Sequence, residues 1–224
     1  MTSSAHFVGV QYPDESVLDD IGRSLPALAS WVIAKLGLNP TDAIPDMIGY
    51  SFGGSLAMEI AMQLRQDDRQ HGRLLLLDAH LPFGLPQRGR FGKARVHLAR
   101  IVEGHETSRL RYITQRLRSK PMTDQNSPER ADELDPYRAV SRINRQMVLD
   151  YKPTLRYDGA ITLIRALQPE WLKFHHDDGY NGFSAIADPQ KIKRVEIDAG
   201  HLELFDAGPV ASIARLVSEW IDDQ

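Results

Sequence analysis

Short apolar runs alternate along this chain with segments whose apolar positions recur every three or four residues. That alternation predicts parallel strands joined by crossover helices, an α/β architecture. The first run, Phe7-Val8-Gly9-Val10, is rich in valine and stops at Tyr12-Pro13, which predicts a strand. A helical pattern follows over residues 16–36, carried by Val17, Ile21, Leu25, Leu28, Trp31, Val32 and Leu36. Met47-Ile48-Gly49 predicts a strand end running into Ser51. Leu56, Ile60 and Leu64 then mark one face of a helix ending near Arg65. Leu74-Leu75-Leu76-Leu77, stopped by Asp78, has the unbroken apolar character of a strand buried on both faces.

The rhythm fails over residues 82–150. No strand pattern occurs there, and helical patterns at 94–102, 108–117 and 137–151 are separated by a polar, proline-containing stretch at 121–136. A strandless segment of this length inside an alternating fold predicts an inserted helical lid rather than a loop. Strand patterns return at 161–164 and 192–197, and a helix over 210–221 closes the chain. There is no internal repeat, and residues 1–224 read as one domain carrying the lid.

Composition narrows the function classes. With 224 residues, 42% hydrophobic, the chain has enough apolar material for one sizeable core. A net charge of −3 argues against a protein that coats nucleic acid or an anionic membrane. The absence of cysteine removes disulfides, thiolate metal sites and a cysteine nucleophile together. The polar, acidic start lacks the basic and apolar regions of a signal peptide, and no apolar run approaches the ~20 residues that span a bilayer. A cytoplasmic location without a membrane partner is expected.

Gly49-Tyr50-Ser51-Phe52-Gly53 matches G-x-S-x-G between a predicted strand and a predicted helix. In that context the motif is a nucleophile elbow. The sharp turn lifts the serine hydroxyl to the carboxyl edge of the sheet, and glycines two before and two after let strand and helix approach. The helix N-terminus beside it favours developing negative charge, with the Phe52 N–H as an oxyanion donor. A serine hydroxyl needs a base, and of the eight histidines His201 stands out. It follows the last predicted strand and precedes the last helix, at the same sheet edge, in the order serine, acid, histidine of α/β-hydrolases. Asp78 leads as the acid because it ends a buried strand at that edge. Glu170, Asp177 and Asp178, after the strand at 161–164, are its rivals, and the residues by themselves leave the choice open.

Taken together, the residues resemble the thioesterase domains of nonribosomal peptide synthetases and polyketide synthases and their stand-alone relatives. The resemblance rests on Val8-Gly9-Val10-Gln11-Tyr12-Pro13, Ile48-Gly49-Tyr50-Ser51-Phe52-Gly53-Gly54 and Leu76-Leu77-Asp78. Further along it is carried by Tyr151-Lys152-Pro153, Tyr157-Asp158-Gly159-Ala160-Ile161-Thr162-Leu163 and Gly200-His201. It implies an α/β-hydrolase fold, a mostly parallel sheet flanked by helices, with a lid at about 82–150. It also selects Asp78 as the acid. Strands that such domains carry before the one matching residues 7–10 are expected to be missing here, together with the loop that supplies a second oxyanion donor.

The implied activity is release of an acyl, peptidyl or polyketide chain from a phosphopantetheine-bearing acyl or peptidyl carrier protein, by hydrolysis or cyclisation. No cofactor beyond the carrier's own arm is implied. The basic residues Arg88, Arg90, Arg95, Arg109 and Arg111, within a stretch opposed only by Glu103 and Glu106, are candidates for docking an acidic carrier. Nucleic-acid binding is not expected, since only Phe91 and Tyr112 interleave with these charges. His175-His176-Asp177-Asp178 lacks metal-ligand spacing, so no metal is expected, and Trp171 and Phe174 read as packing under that loop. Other esterase or acyltransferase chemistry on the same residues, and a non-catalytic binding role, are the competing readings.

Overall fold

The computed structural model describes residues 6–38, 44–65, 72–86 and 136–223. The helical patterns at 94–102 and 108–117, and the docking candidates Arg88, Arg90, Arg95, Arg109 and Arg111, lie outside these.

Among the described residues, four parallel strands form one sheet in the order β1-β2-β3-β4. They are β1 (Met47–Tyr50), β2 (Leu74–Leu77), β3 (Ile161–Ala166) and β4 (Ile192–Ile197). The leucines of β2 show why this run needs no polar positions. Leu74 and Leu76 enter one apolar cluster with Met58, Ala61, Ile161, Leu163 and Phe183. Leu75 and Leu77 point the other way, among Ile164, Leu204 and Ile213. Side chains alternate across a strand, so helices on both faces bury every position.

The helices are α1 (Glu15–Ile21), α2 (Leu25–Leu36), α3 (Phe52–Leu64), α4 (Pro136–Asp150) and α5 (Ala207–Asp222). The single helix expected over 16–36 is therefore two. Gly22 ends α1 at φ 80°, a conformation glycine enters without steric cost. Ser24 then accepts from Ala27 N–H at 3.3 Å as the N-cap of α2, whose first turn contains Pro26. The strand expected at 7–10 does not form either. Residues 6–14 have no regular structure and pair with no described strand, leaving Phe7 and Val8 71% and 75% exposed. An apolar run becomes a strand only when a neighbour takes up its hydrogen bonds. The segment is anchored just beyond this run, where Tyr12 donates to Asn144 Oδ1 at 2.5 Å and sets its ring edge-on to Phe52.

Of the expected lid, residues 82–86 and α4 are described. Ile143 and Met147 of α4 pack with Leu18 and Leu28, so this helix joins the body of the fold. Its exit is fastened to α3, because Tyr151 donates to the buried Glu59. Burial pushes the Tyr151 phenol well above its usual range and keeps it a donor.

Candidate active site

The register of the sheet puts two polar residues side by side. Tyr50 pairs with Leu77, and Leu77 with Ile164, so Ser51 and Asp78 each follow the last strand residue at the same height. Ser51 N–H donates to Leu77 O at 2.9 Å, and Asp78 N–H to Ile164 O at 2.7 Å, extending the ladder into both turns. Past β4 the chain turns through Asp198-Ala199-Gly200 and brings His201 to the same rim.

Here the three side chains meet. His201 Nε2 lies 2.9 Å from Ser51 Oγ, and His201 Nδ1 lies 2.7 Å from Asp78 Oδ2. Asp78 is fully buried, and its other oxygen accepts from Ala166 N–H at 3.0 Å and from Asn181 Nδ2 at 3.4 Å. A buried carboxylate needs such donors, because leaving it unpaired away from water is costly. The geometry lets imidazole take the serine proton at Nε2 while Nδ1–H stays on the carboxylate.

The backbone is forced to make this possible. Among the described residues, the non-glycine positions with positive φ are Ser51 (53°), Asp78 (43°) and Asn181 (53°), all at this rim. Such conformations store strain and persist only where surrounding contacts enforce them. At Ser51 the enforcing contacts come from the elbow's glycines. A Cβ on Gly49 would lie 2.4 Å from Gly53 O, and one on Gly54 would lie 2.5 Å from the Ala79 Cβ. A Cβ on Gly53 would meet nothing within 4 Å. The glycine two after the serine is thus not the one that permits close approach. The phase of α3 turns Gly54 toward the sheet instead.

Tyr50 does more than precede the serine. Its ring stacks on His201 at 4.8 Å and 17°, and its hydroxyl donates to His201 O at 3.0 Å. Phe205 meets the Tyr50 ring edge-on at 4.8 Å. Burial, with the nearby Asp78 charge, pushes the Tyr50 phenol up to about 12, so it is a neutral donor at ordinary pH. Phe52 begins α3, where a backbone N–H has no intrahelical acceptor, as an oxyanion donor requires.

Two of the rival acids, Asp177 and Asp178, have other partners. Asp177 forms a two-oxygen pair with Arg165 at 2.7 and 2.6 Å. Asp178 accepts from Tyr180 N–H, Gly182 N–H and the Ser184 hydroxyl, shaping its own loop. Glu170 opens a short 3-10 turn. Trp171 is buried, as expected, and stacks on His80, whereas Phe174 is 44% exposed. Among the described residues, no group of His, Asp and Glu is gathered as a metal site would require, and no helix is long and apolar enough to cross a membrane. A cleft of about 1020 Å³ lies at the opposite end of the sheet, lined by Arg73, Thr162, Lys193 and Trp220, away from these three residues.

A parallel sheet with a strained serine between strand and helix, hydrogen-bonded to histidine and then aspartate, defines an α/β-hydrolase. The model of the thioesterase domain matches residues 1–120, which include Ser51 and Asp78. The chain belongs to the thioesterase domain family. No curated protein sequence matches significantly. Solved structures resemble the fold. One is a holo four-domain nonribosomal peptide synthetase bound to AMP and glycine (18% identity, TM-score 0.55), where 88% of this chain covers 16% of that one. Another is the RedJ thioesterase of prodiginine biosynthesis from Streptomyces coelicolor (18% identity, TM-score 0.51), with 88% and 68% covered. The NocB thioesterase domain of the nocardicin cluster is a third (20% identity, TM-score 0.50), with 88% and 74% covered. At these identities the likeness speaks to the fold.

Proposed function

We propose that the chain releases an acyl, peptidyl or polyketide chain from the phosphopantetheine thioester of a carrier protein, through an acyl-enzyme on Ser51. The observation that carries this reading is the unbroken hydrogen-bonded path from Ser51 Oγ through His201 to Asp78. In the first half-reaction Ser51 Oγ attacks the thioester carbonyl as His201 Nε2 accepts its proton. Phe52 N–H donates to the oxyanion, and the intermediate collapses as the proton passes from His201 to the departing thiolate. Asp78 keeps the imidazole in the required tautomer and stabilises its cationic form. In the second half, water gives its proton to His201 and attacks the ester, and the free acid leaves as Ser51 is reprotonated. An internal hydroxyl or amine in place of water yields a ring.

The carrier as partner is supported by the fold shared with synthetase thioesterase domains and by the run of basic residues from Arg88 to Arg111. Steering by such a run of charges weakens with salt. The test compares an acyl-carrier thioester, an acyl-pantetheine thioester and a simple oxygen ester, with intact-mass detection of the acyl group on Ser51. Thioesters are expected to react faster than the oxygen ester, and carrier-bound substrate alone to slow steeply with salt. Preference for the oxygen ester, or no acyl adduct at Ser51, defeats the reading. Equal salt dependence defeats the docking part alone.

A further inference from the structure

Asp78 is held by more than the histidine it faces. Asn181 is fully buried in the loop after β3 and sits at φ 53°, a conformation asparagine tolerates better than most residues. Its Nδ2 donates to Ala79 O at 2.9 Å and to Asp78 Oδ1 at 3.4 Å, and its own backbone O accepts from Leu81 N–H at 2.8 Å. One residue therefore grips the turn that carries Asp78 at three points. The direction of its amide is not free, because Arg165 Nε donates to Asn181 Oδ1 at 3.0 Å. A guanidinium has only donors, so the amide oxygen must face Arg165 and the NH₂ must face Asp78. Arg165, itself buried, is fixed in turn by Asp177 and by Glu196 at 3.0 Å.

We infer that Asn181 is a positioning residue for Asp78, with Arg165 and Asp177 setting the direction of its amide. It touches no reacting atom. Its effect passes through Asp78 to the orientation of the His201 ring, and small displacements of such groups carry large rate costs. The inference rests on the hydrolytic reading of Ser51, His201 and Asp78. It also gives Asp177 and Asp178 a use: the first holds the arginine, and the second folds the loop that presents Asn181.

The test uses Asn181→Ala and Asn181→Asp in the full chain. The second keeps the backbone conformation and the acceptor for Arg165 but replaces the donor toward Asp78 by a carboxylate. Thioester turnover, thermal midpoint and the downfield proton resonance of His201 Nδ1–H are measured on each. Turnover is expected to fall about ten- to a hundredfold with KM within about twofold, as loss of positioning predicts. The resonance is expected to weaken or move upfield, and Asn181→Asp to lose at least as much turnover as Asn181→Ala. Turnover near that of the unaltered protein with the resonance in place, even beside a lower thermal midpoint, overturns the inference and leaves Asn181 a fold-stabilising residue. A loss confined to KM overturns it as well. If the unaltered protein does not cleave thioesters, the proposed function fails, and the resonance alone decides the role of Asn181.

Discussion

The two ends of the sheet use polar residues in opposite ways. At the carboxyl end Ser51, Asp78 and Asn181 hold strained backbone conformations, and a buried carboxylate is met by partners from three other segments. At the amino end Arg73 spreads its guanidinium over the Trp220 ring at 4.3 Å. It donates there to Asp46, to Trp220 O and to Asp223 O. No non-glycine residue with positive φ is found there among the described residues. One end holds polar groups that their partners constrain in a geometry suited to nucleophilic chemistry, and the other uses its charge to fasten the last helix to the sheet. Strained residues concentrate where chemistry requires a geometry the chain would not otherwise adopt.

Substitutions at the two ends should separate along this line. Ser51→Ala is expected to lower thioester kcat by on the order of 10⁵-fold with little change in thermal midpoint. Steady-state kinetics beside a melting curve checks this, and retention of more than a hundredth of the activity would break the contrast. Next come the elbow glycines. Gly54→Ala drives a methyl group into Ala79, next to Asp78, and is expected to cost about 1–3 kcal/mol together with turnover. Gly53→Ala, in open space, is expected to be neutral or to stabilise by up to about 1 kcal/mol. Denaturant titration distinguishes the pair, and equal losses would contradict the helix phase described above.

The rim should also sense pH through His80. Burial first, then the neighbouring His201, His175 and Arg145 charges, push its imidazole down to about 4. The unfolded chain, with an ordinary histidine near 6.5, therefore binds the extra proton between about pH 6.5 and 4, and stability falls as pH drops through that window. Between pH 7.5 and 5 the loss assigned to His80 is about 2 kcal/mol. In His80→Phe, which keeps an aromatic ring against Trp171, the drop measured by urea unfolding at the two pH values should shrink by that amount. The smallest effect belongs to the other end. Arg73→Ala is expected to lower stability by about 1 kcal/mol and leave kcat within about twofold. An activity loss matching its stability loss would erase the distinction between the ends.

Much of the fold is legible in the residues because β2 and β3 need only local apolar runs and their helices only a repeating face. The rim was legible for a related reason. Ser51 and Asp78 each directly follow an apolar strand, and His201 lies a few residues beyond another, so chain order alone brings them to one edge. What escaped depends on partners distant in sequence. Phe7 to Val10 reads as a strand by composition, but a strand needs a neighbour. The break at Gly22 carried local signals, glycine then Ser24 and Pro26, that a purely periodic reading overruled. Which of two consecutive glycines touches β1 depends on helix phase. Asn181 had no signal at all, since its significance lies in contacts with residues about a hundred positions away.

The claim that Ser51 is a nucleophile activated by His201 is most directly tested with a fluorophosphonate probe on folded protein, read by intact mass. The unaltered chain should gain one adduct, located to Ser51 by peptide mapping. His201→Ala should label far more slowly, and Ser51→Ala not at all. An unlabelled Ser51 in folded protein, or labelling at the same rate without His201, would contradict it.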